Sequence, residues 1–216
     1  MTRSGIARWF HRAGIALGVI GLCLLGVALL AIVNTRVYQA RQGRAFSDME
    51  REAAASAHGL QSSAVLTSTG PSRPAPDADP LVLGRIEIPR IGVSAIVREG
   101  DDDRTLAVAV GHVPGTARPG ERGNMALAGH RDSFFGALKH IRVDDTIRIR
   151  TAGHRYEYRV DSTAVVAPEA TQILDPTGDA VLTLVTCYPF GWVGHAPNRF
   201  IVRASRLQPR APRQVP

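Results

Sequence analysis

The sequence predicts a mainly β domain over residues 81–208, closed or sandwich-like, behind one membrane-spanning helix. Two patterns predict it. From Leu81 to Gln208, apolar residues alternate with polar ones in short runs bounded by Gly, Pro and polar residues, as half-buried strands require. From Gly14 to Val33, twenty residues pass without a charge. As a helix, such a stretch covers a hydrocarbon layer of about 30 Å.

The N-terminal segment 1–13 carries Arg3, Arg8 and Arg12 ahead of the apolar span 14–33. The span is longer than the apolar part of a cleaved signal peptide and has no Ala-x-Ala at its end, so it predicts an uncleaved anchor. Arg36, Arg41 and Arg44 follow it, and basic residues on both sides leave its orientation open. Residues 34–60 are rich in Ala, Arg, Gln and Glu and predict a continuing helix. Residues 61–80, "QSSAVLTSTGPSRPAPDADP", are rich in Ser, Thr and Pro and predict a linker, and 209–216 predict a disordered tail.

Within 81–208, Ile86 and Ile88 alternate with Arg85 and Glu87 in "GRIEIP", and Ile147 and Ile149 with Arg148 and Arg150 in "TIRIR". "RYEYRV" puts Tyr156, Tyr158 and Val160 on one side. "IGVSAIV", "NMALAGH", "AVLTLVTC" and "RFIVRA" are more continuous apolar runs that fit buried strands. Helical signals are confined to a turn or two at 105–110 and 133–139. Seven or eight short strands joined by turns make a barrel or sandwich, and about 128 residues suffice to bury its core.

The formal net charge is +7, and its distribution argues against a nucleic-acid partner. Residues 1–60 carry seven Arg against three acids, whereas 81–208 carry sixteen Lys or Arg against fourteen acids, interspersed in sign. Phosphate binding needs a basic face, and no run of basic residues supplies one. No Gly-Lys-Ser/Thr phosphate loop is present either.

Two cysteines exist, Cys23 inside the span and Cys187 in the β domain, so no disulfide framework forms. An unpaired thiol in an exported domain is either a small buried hydrophobe or a nucleophile. Cys187 ends the apolar run "TLVTC", and Tyr188, Pro189 and Phe190 follow it, which places the sulfur at a strand terminus. Arg199 starts the next run, "RFIVRA". The intervening loop of about eleven residues lets the two strands pair, with Cys187 and Arg199 at one edge.

A thiol with pKa about 8.5 needs a base nearby, and acyl transfer also needs a proton donor for the leaving amine and a donor for the oxyanion. An always-charged Arg199 suits the last role, although a solvated strand-end arginine is the alternative reading. The β domain offers five histidines. His140 and His154 sit beside turns and are expected to face solvent. His130 closes the run "NMALAGH" ahead of a polar loop and is the favoured acid–base, ahead of His112 in a Gly and Pro turn and His195 in the loop between Cys187 and Arg199.

These pieces together resemble the sortases, the membrane-anchored cysteine transpeptidases of bacterial surfaces. The resemblance is carried by "LGRIEIPRIGV", "GHVPGT", "GNMALAGHRDSFF", "TLVTC" and "APNRFIV", with "TCYPF" and "APNRFIV" most like class D. It implies an eight-stranded closed β-barrel. It also implies Cys187 as nucleophile, His130 as general acid and base, and Arg199 as the group binding substrate and steadying the oxyanion. Thr186 would act beside the sulfur, with Val185 and Ala128 lining a peptide groove.

The implied reaction cleaves a Leu-Pro-x-Thr-like sorting signal of an exported protein through a thioacyl intermediate. Transfer follows to an amine, from a peptidoglycan precursor or a pilin lysine, with water as a slow acceptor. The implied location is the cell membrane, single-pass, with the catalytic domain outside the cytoplasm. No cofactor is expected. Some sortases bind Ca²⁺, but Asp101–Asp103 and Asp144–Asp145 lack the spacing of a calcium loop and are expected to be solvated turns. The competing readings are another cysteine acyl-transferase of the cell wall and a catalytically silent, membrane-anchored barrel that only binds.

Overall fold

A computed structural model describes residues 3–59 and 79–208. The linker expected at 61–80 lies almost wholly outside these residues, and the tail at 209–216 lies entirely outside them. The chain divides into two compact units, one reaching Tyr38 and the other beginning at Gln39. Helix α1 (Arg3–Gly59) runs through the division.

Among the described residues the first unit is helix alone. It leaves large apolar side chains such as Leu17, Leu22 and Leu30 exposed, and the helix is long and apolar enough to cross a membrane. An all-round apolar helical surface of this length is what lipid, rather than water, solvates.

The second unit holds the barrel. Its strands are β1 (Val82–Ile88), β2 (Val93–Glu99), β3 (Val110–His112), β4 (Asn124–Ala128), β5 (Thr146–Arg150), β6 (Arg155–Val166), β7 (Val181–Tyr188) and β8 (Asn198–Arg206). They close in the order β1-β2-β3-β4-β7-β8-β6-β5, so no edge is left open. The pairs β2–β3 and β4–β7 are parallel and the rest antiparallel.

The alternation in sequence becomes alternation in burial: Ile86, Ile88, Ile147 and Ile149 are fully buried while their neighbours are only partly covered. They meet Leu182, Leu184 and Val202 in one core. Gly84 allows β1 to approach β5, because a Cβ there would lie 2.1 Å from the Arg150 carbonyl oxygen, with φ at +158°.

Parallel pairing of β2 with β3 requires a crossover, and the short helix α2 (Asp103–Val108) provides it. Asp102 caps α2: its carboxylate accepts from the Arg104 and Thr105 backbone N–H groups at 2.9 and 3.2 Å and from the Thr105 hydroxyl at 3.0 Å. Within the second unit, α1 packs on the barrel through Phe46 and Ala45, both buried. The Gln39 side chain bridges two main-chain groups, accepting from Ile96 N at 3.0 Å and donating to Val108 O at 2.7 Å. Glu50 pairs with Arg150 at 2.7 Å, and Arg150 reaches Glu87 at 3.2 Å.

The Asp144–Asp145 turn has its own partners. Arg90 donates to both Asp145 oxygens, one of these bonds being 2.6 Å, and the Arg142 N–H donates at 2.8 Å. The Arg90 hydrogen bond holds the Asp145 carboxyl below the usual carboxylate range, outweighing the upward push of burial. A depressed folded value stabilises the fold above the unfolded carboxyl pKa of about 4, and the contribution is lost as pH falls through the depressed value. Asp145→Asn is therefore expected to lower the melting temperature near pH 7, with the gap to wild type narrowing as both are acidified toward about pH 2. Thermal unfolding of the full chain across pH checks this.

Candidate active site

The site begins with strand register. In the antiparallel β7–β8 pair, Cys187 lies directly opposite Arg199, so both side chains leave the same face of the sheet as cross-strand neighbours. Period-two alternation then sends Thr186 to the other face, where it is buried and its hydroxyl donates to the Gly129 carbonyl at 2.7 Å. Cys187 is half-buried and uncommitted to a disulfide.

β4 lies parallel to β7, with Ala128 opposite Val185, and the Gly129 N–H continues the ladder by donating to Val185 O at 3.1 Å. The residue that follows is His130, delivered to the end of β7 by that pairing. Its carbonyl accepts from the Phe135 N–H at 3.1 Å, closing a tight turn over a fully buried Phe135 ring. A Cβ at position 129 would lie 2.8 Å from that ring, so glycine lets the turn sit down on it. The imidazole of His130 thus projects from a rim held by a β ladder beneath and an aromatic plug beside it.

His130, Cys187 and Arg199 line one cleft of about 380 Å³, together with Arg131, Asp132 and the loop residues Gly194, His195 and Ala196. The Arg199 Nη1 donates to the Asn198 carbonyl at 3.1 Å and is half-buried, and no carboxylate neutralises it among the described residues. A second, more apolar hollow of about 270 Å³ meets the first at Arg199. Ala128 and Val185 lie in this hollow, facing Ala167, Ile173 and Leu174 from the connection between β6 and β7. Thr186 lines neither: it ties β7 to the His130 turn from inside the barrel.

The remaining histidines separate by position. His112 is 1% exposed, its Nδ1 3.2 Å from Glu99 Oε1 and its Nε2 2.9 Å from the Ala117 carbonyl, which makes it a buried fastener. His140 and His154 are exposed away from the cleft. His195 shares the cleft with His130, on the exposed β7–β8 loop rather than on a strand end. Among the described residues, no three His, Cys, Asp or Glu side chains gather as a metal site requires.

A protein-family model for the sortase domain matches residues 86–207, more than half of the chain. The chain belongs to the sortase family. Over 125 residues it is 34% identical to sortase D of Bacillus subtilis, covering 57% of this chain and 63% of that protein. It is 31% identical over 110 residues to sortase A of Listeria monocytogenes, covering 49% of each. The matched part thus spans about half to two thirds of these relatives' lengths. The solved Clostridium perfringens sortase D5 transpeptidase superposes with a TM-score of 0.58 at 25% identity, over 80% of this chain and 98% of that one. Sortase C-1 of Actinomyces oris superposes with a TM-score of 0.55 at 30% identity, over 76% and 99%. The closed eight-stranded barrel is therefore a sortase barrel.

Two features of this site are not expected from the sequence, the β6–β7 wall and the Arg131 contacts with the β7–β8 loop, whereas His195, the acid–base candidate ranked behind His130, does line the cleft. The apolar pair Ile173–Leu174 inside an otherwise polar connection was the available signal for the first.

Proposed function

We propose that this sortase is a membrane-anchored cysteine transpeptidase that cleaves a Leu-Pro-x-Thr-like sorting signal and passes the acyl group to an amine. The carrying observation is that the Cys187 thiol and the Arg199 guanidinium stand opposite each other in register while His130 lines the same cleft. The apolar hollow beside Val185 and Ala128 offers a place for the Leu-Pro side of the signal, which sets the Thr carbonyl over Cys187 where the two hollows meet.

The Cys187 sulfur attacks the Thr carbonyl carbon as its thiolate. Arg199 donates to the oxygen that becomes an oxyanion, and His130 hands a proton to the departing amine as the C–N bond breaks. A thioester on Cys187 remains. An incoming amine attacks it, His130 takes the proton, and the sulfur leaves. One amide replaces another, so the exchange is close to thermoneutral and proceeds without a nucleotide. Water in place of the amine gives hydrolysis.

The donors in this scheme are exported proteins bearing a C-terminal sorting signal, and the acceptor is an amine of a peptidoglycan precursor or a pilin lysine. The apolar span serves as a single-pass anchor with the barrel outside the cytoplasm. The chemistry calls on no cofactor.

A silent binding barrel is the alternative to exclude, and thiol labelling separates the two. With Cys23 changed to serine, iodoacetamide is expected to alkylate Cys187 readily in the full chain and more slowly in His130→Ala. An inert Cys187, or one whose labelling ignores His130, contradicts the proposal.

A further inference from the structure

The connection between β7 and β8, residues 189–197, forms one wall of the cleft through Gly194, His195 and Ala196. Its base is packed: the Phe190 ring meets Phe200 edge-on with centroids 5.2 Å apart and Tyr188 at 6.0 Å. Its tip is not, since Trp192 is 51% and Val193 95% exposed. A tip so poorly covered opens readily unless its backbone is held from elsewhere.

Arg131 holds it. Its Nη2 donates to the Trp192 carbonyl at 2.8 Å and to the Gly194 carbonyl at 2.9 Å. Besides Arg199, which reaches the Ala196 carbonyl only at 3.4 Å, no residue outside the loop hydrogen-bonds to it among the described residues. Inside the loop, the Trp192 indole N–H donates to the His195 carbonyl at 2.9 Å, so the Arg131 contacts steady the segment that carries His195 as well. Arg131 is also the residue after His130. One backbone turn therefore carries the candidate acid–base and grips the wall that faces it.

We propose that Arg131 is a positioning residue for the second half-reaction: it keeps the β7–β8 loop closed against the cleft so that the thioacyl group meets an amine rather than bulk water. This rests on the function proposed above. In that step the amine nitrogen bonds to the thioester carbon, the carbon–sulfur bond breaks, the sulfur leaves as thiolate, and the amine proton goes to His130. Water follows the same path to a carboxylic acid. Confinement favours the nucleophile that the wall orients, and an open loop removes that advantage.

The test uses the full chain in detergent, with Cys23→Ser throughout, comparing wild type, Arg131→Ala and Arg131→Lys. A peptide containing Leu-Pro-Glu-Thr-Gly is the donor and hydroxylamine the acceptor, and chymotrypsin probes the loop at Trp192. In Arg131→Ala, cleavage after Trp192 is expected to rise about tenfold, as local opening becomes cheaper. The ratio of hydroxamate to hydrolysed product is expected to fall about tenfold, while thioacyl formation changes less than about threefold. The melting temperature stays near wild type, and Arg131→Lys, which keeps a charged donor, falls between.

Unchanged cleavage at Trp192 overturns the proposal, as does accelerated cleavage with an unmoved product ratio. Acylation, transfer and melting temperature falling together would make Arg131 a structural residue only, and overturn it too. If wild type itself forms no thioester on Cys187, the functional reading fails. The chymotrypsin comparison still decides whether Arg131 holds the loop.

Discussion

Replacing Cys187 with alanine is expected to abolish peptide cleavage and thioacyl formation while leaving the melting temperature within a few degrees of wild type. The sulfur sits half-buried at the outer end of β7. Its loss empties no space in the core, which is built from the alternate residues Leu182, Leu184 and Thr186. Chemistry has no substitute for it: the neighbouring Tyr188 and the inward Thr186 present no nucleophile to the cleft. A Cys187→Ala protein that turned over a peptide at the wild-type rate would place the reaction elsewhere. Circular dichroism and a peptide-cleavage assay on the same preparation make the comparison.

His130→Ala is expected to lose activity by about three orders of magnitude, since proton transfer typically supplies 10²–10⁴-fold. The other histidines provide the contrast. His112→Ala removes a buried ring held by Glu99 and the Ala117 carbonyl, so the damage falls on stability rather than on the chemical step. His195→Ala removes an exposed ring from the loop wall, and a loss of less than about tenfold is expected because a strand-end position holds a proton-transfer group better than a loop tip does. Steady-state kcat/KM for the three variants, each with its melting temperature, makes the comparison. Equal losses at all three positions would overturn the assignment of His130.

The strands of the barrel were legible because each buries one face, and burial on one face writes itself as alternation over five to eight residues. β6 shows where that stops. The run "RYEYRV" covers its first half, but the strand continues to Val166 through residues 161–165, which are all exposed. With no core to face there, they carry no apolar alternation to mark them as strand. They are held by pairing with β8, which the register from Ser162↔Arg203 to Val166↔Arg199 supplies after a bulge. β3 is invisible for a different reason: it has only three residues, Val110–His112, all buried and including a glycine.

The cleft divides in the same way. Cys187 and Arg199 announce themselves because a strand-end thiol and a strand-start arginine flank one loop, and a hairpin-like pairing of the strands then makes them neighbours. His130 is legible as the end of an apolar run. What the chain does not display locally is anything created by long-range packing. Glu50 meets Arg150 across 100 residues, and the Arg131 guanidinium finds the Trp192 and Gly194 carbonyls more than 60 residues away. An arginine that grips backbone carbonyls looks, in one dimension, like any solvated arginine. The carbonyls it grips belong to no residue type at all.

In the proposed reaction one sulfur, one imidazole and one guanidinium act together on a single carbonyl. Intact-mass and peptide-mapping mass spectrometry of the full chain, quenched in acid during turnover of a Leu-Pro-x-Thr peptide, tests it most directly. The expected result is an adduct on Cys187 whose mass equals the peptide fragment ending in Thr, cleared by hydroxylamine, absent in Cys187→Ala and sharply reduced in Arg199→Ala. Peptide cleavage without any such adduct, or an adduct on another residue, would contradict it.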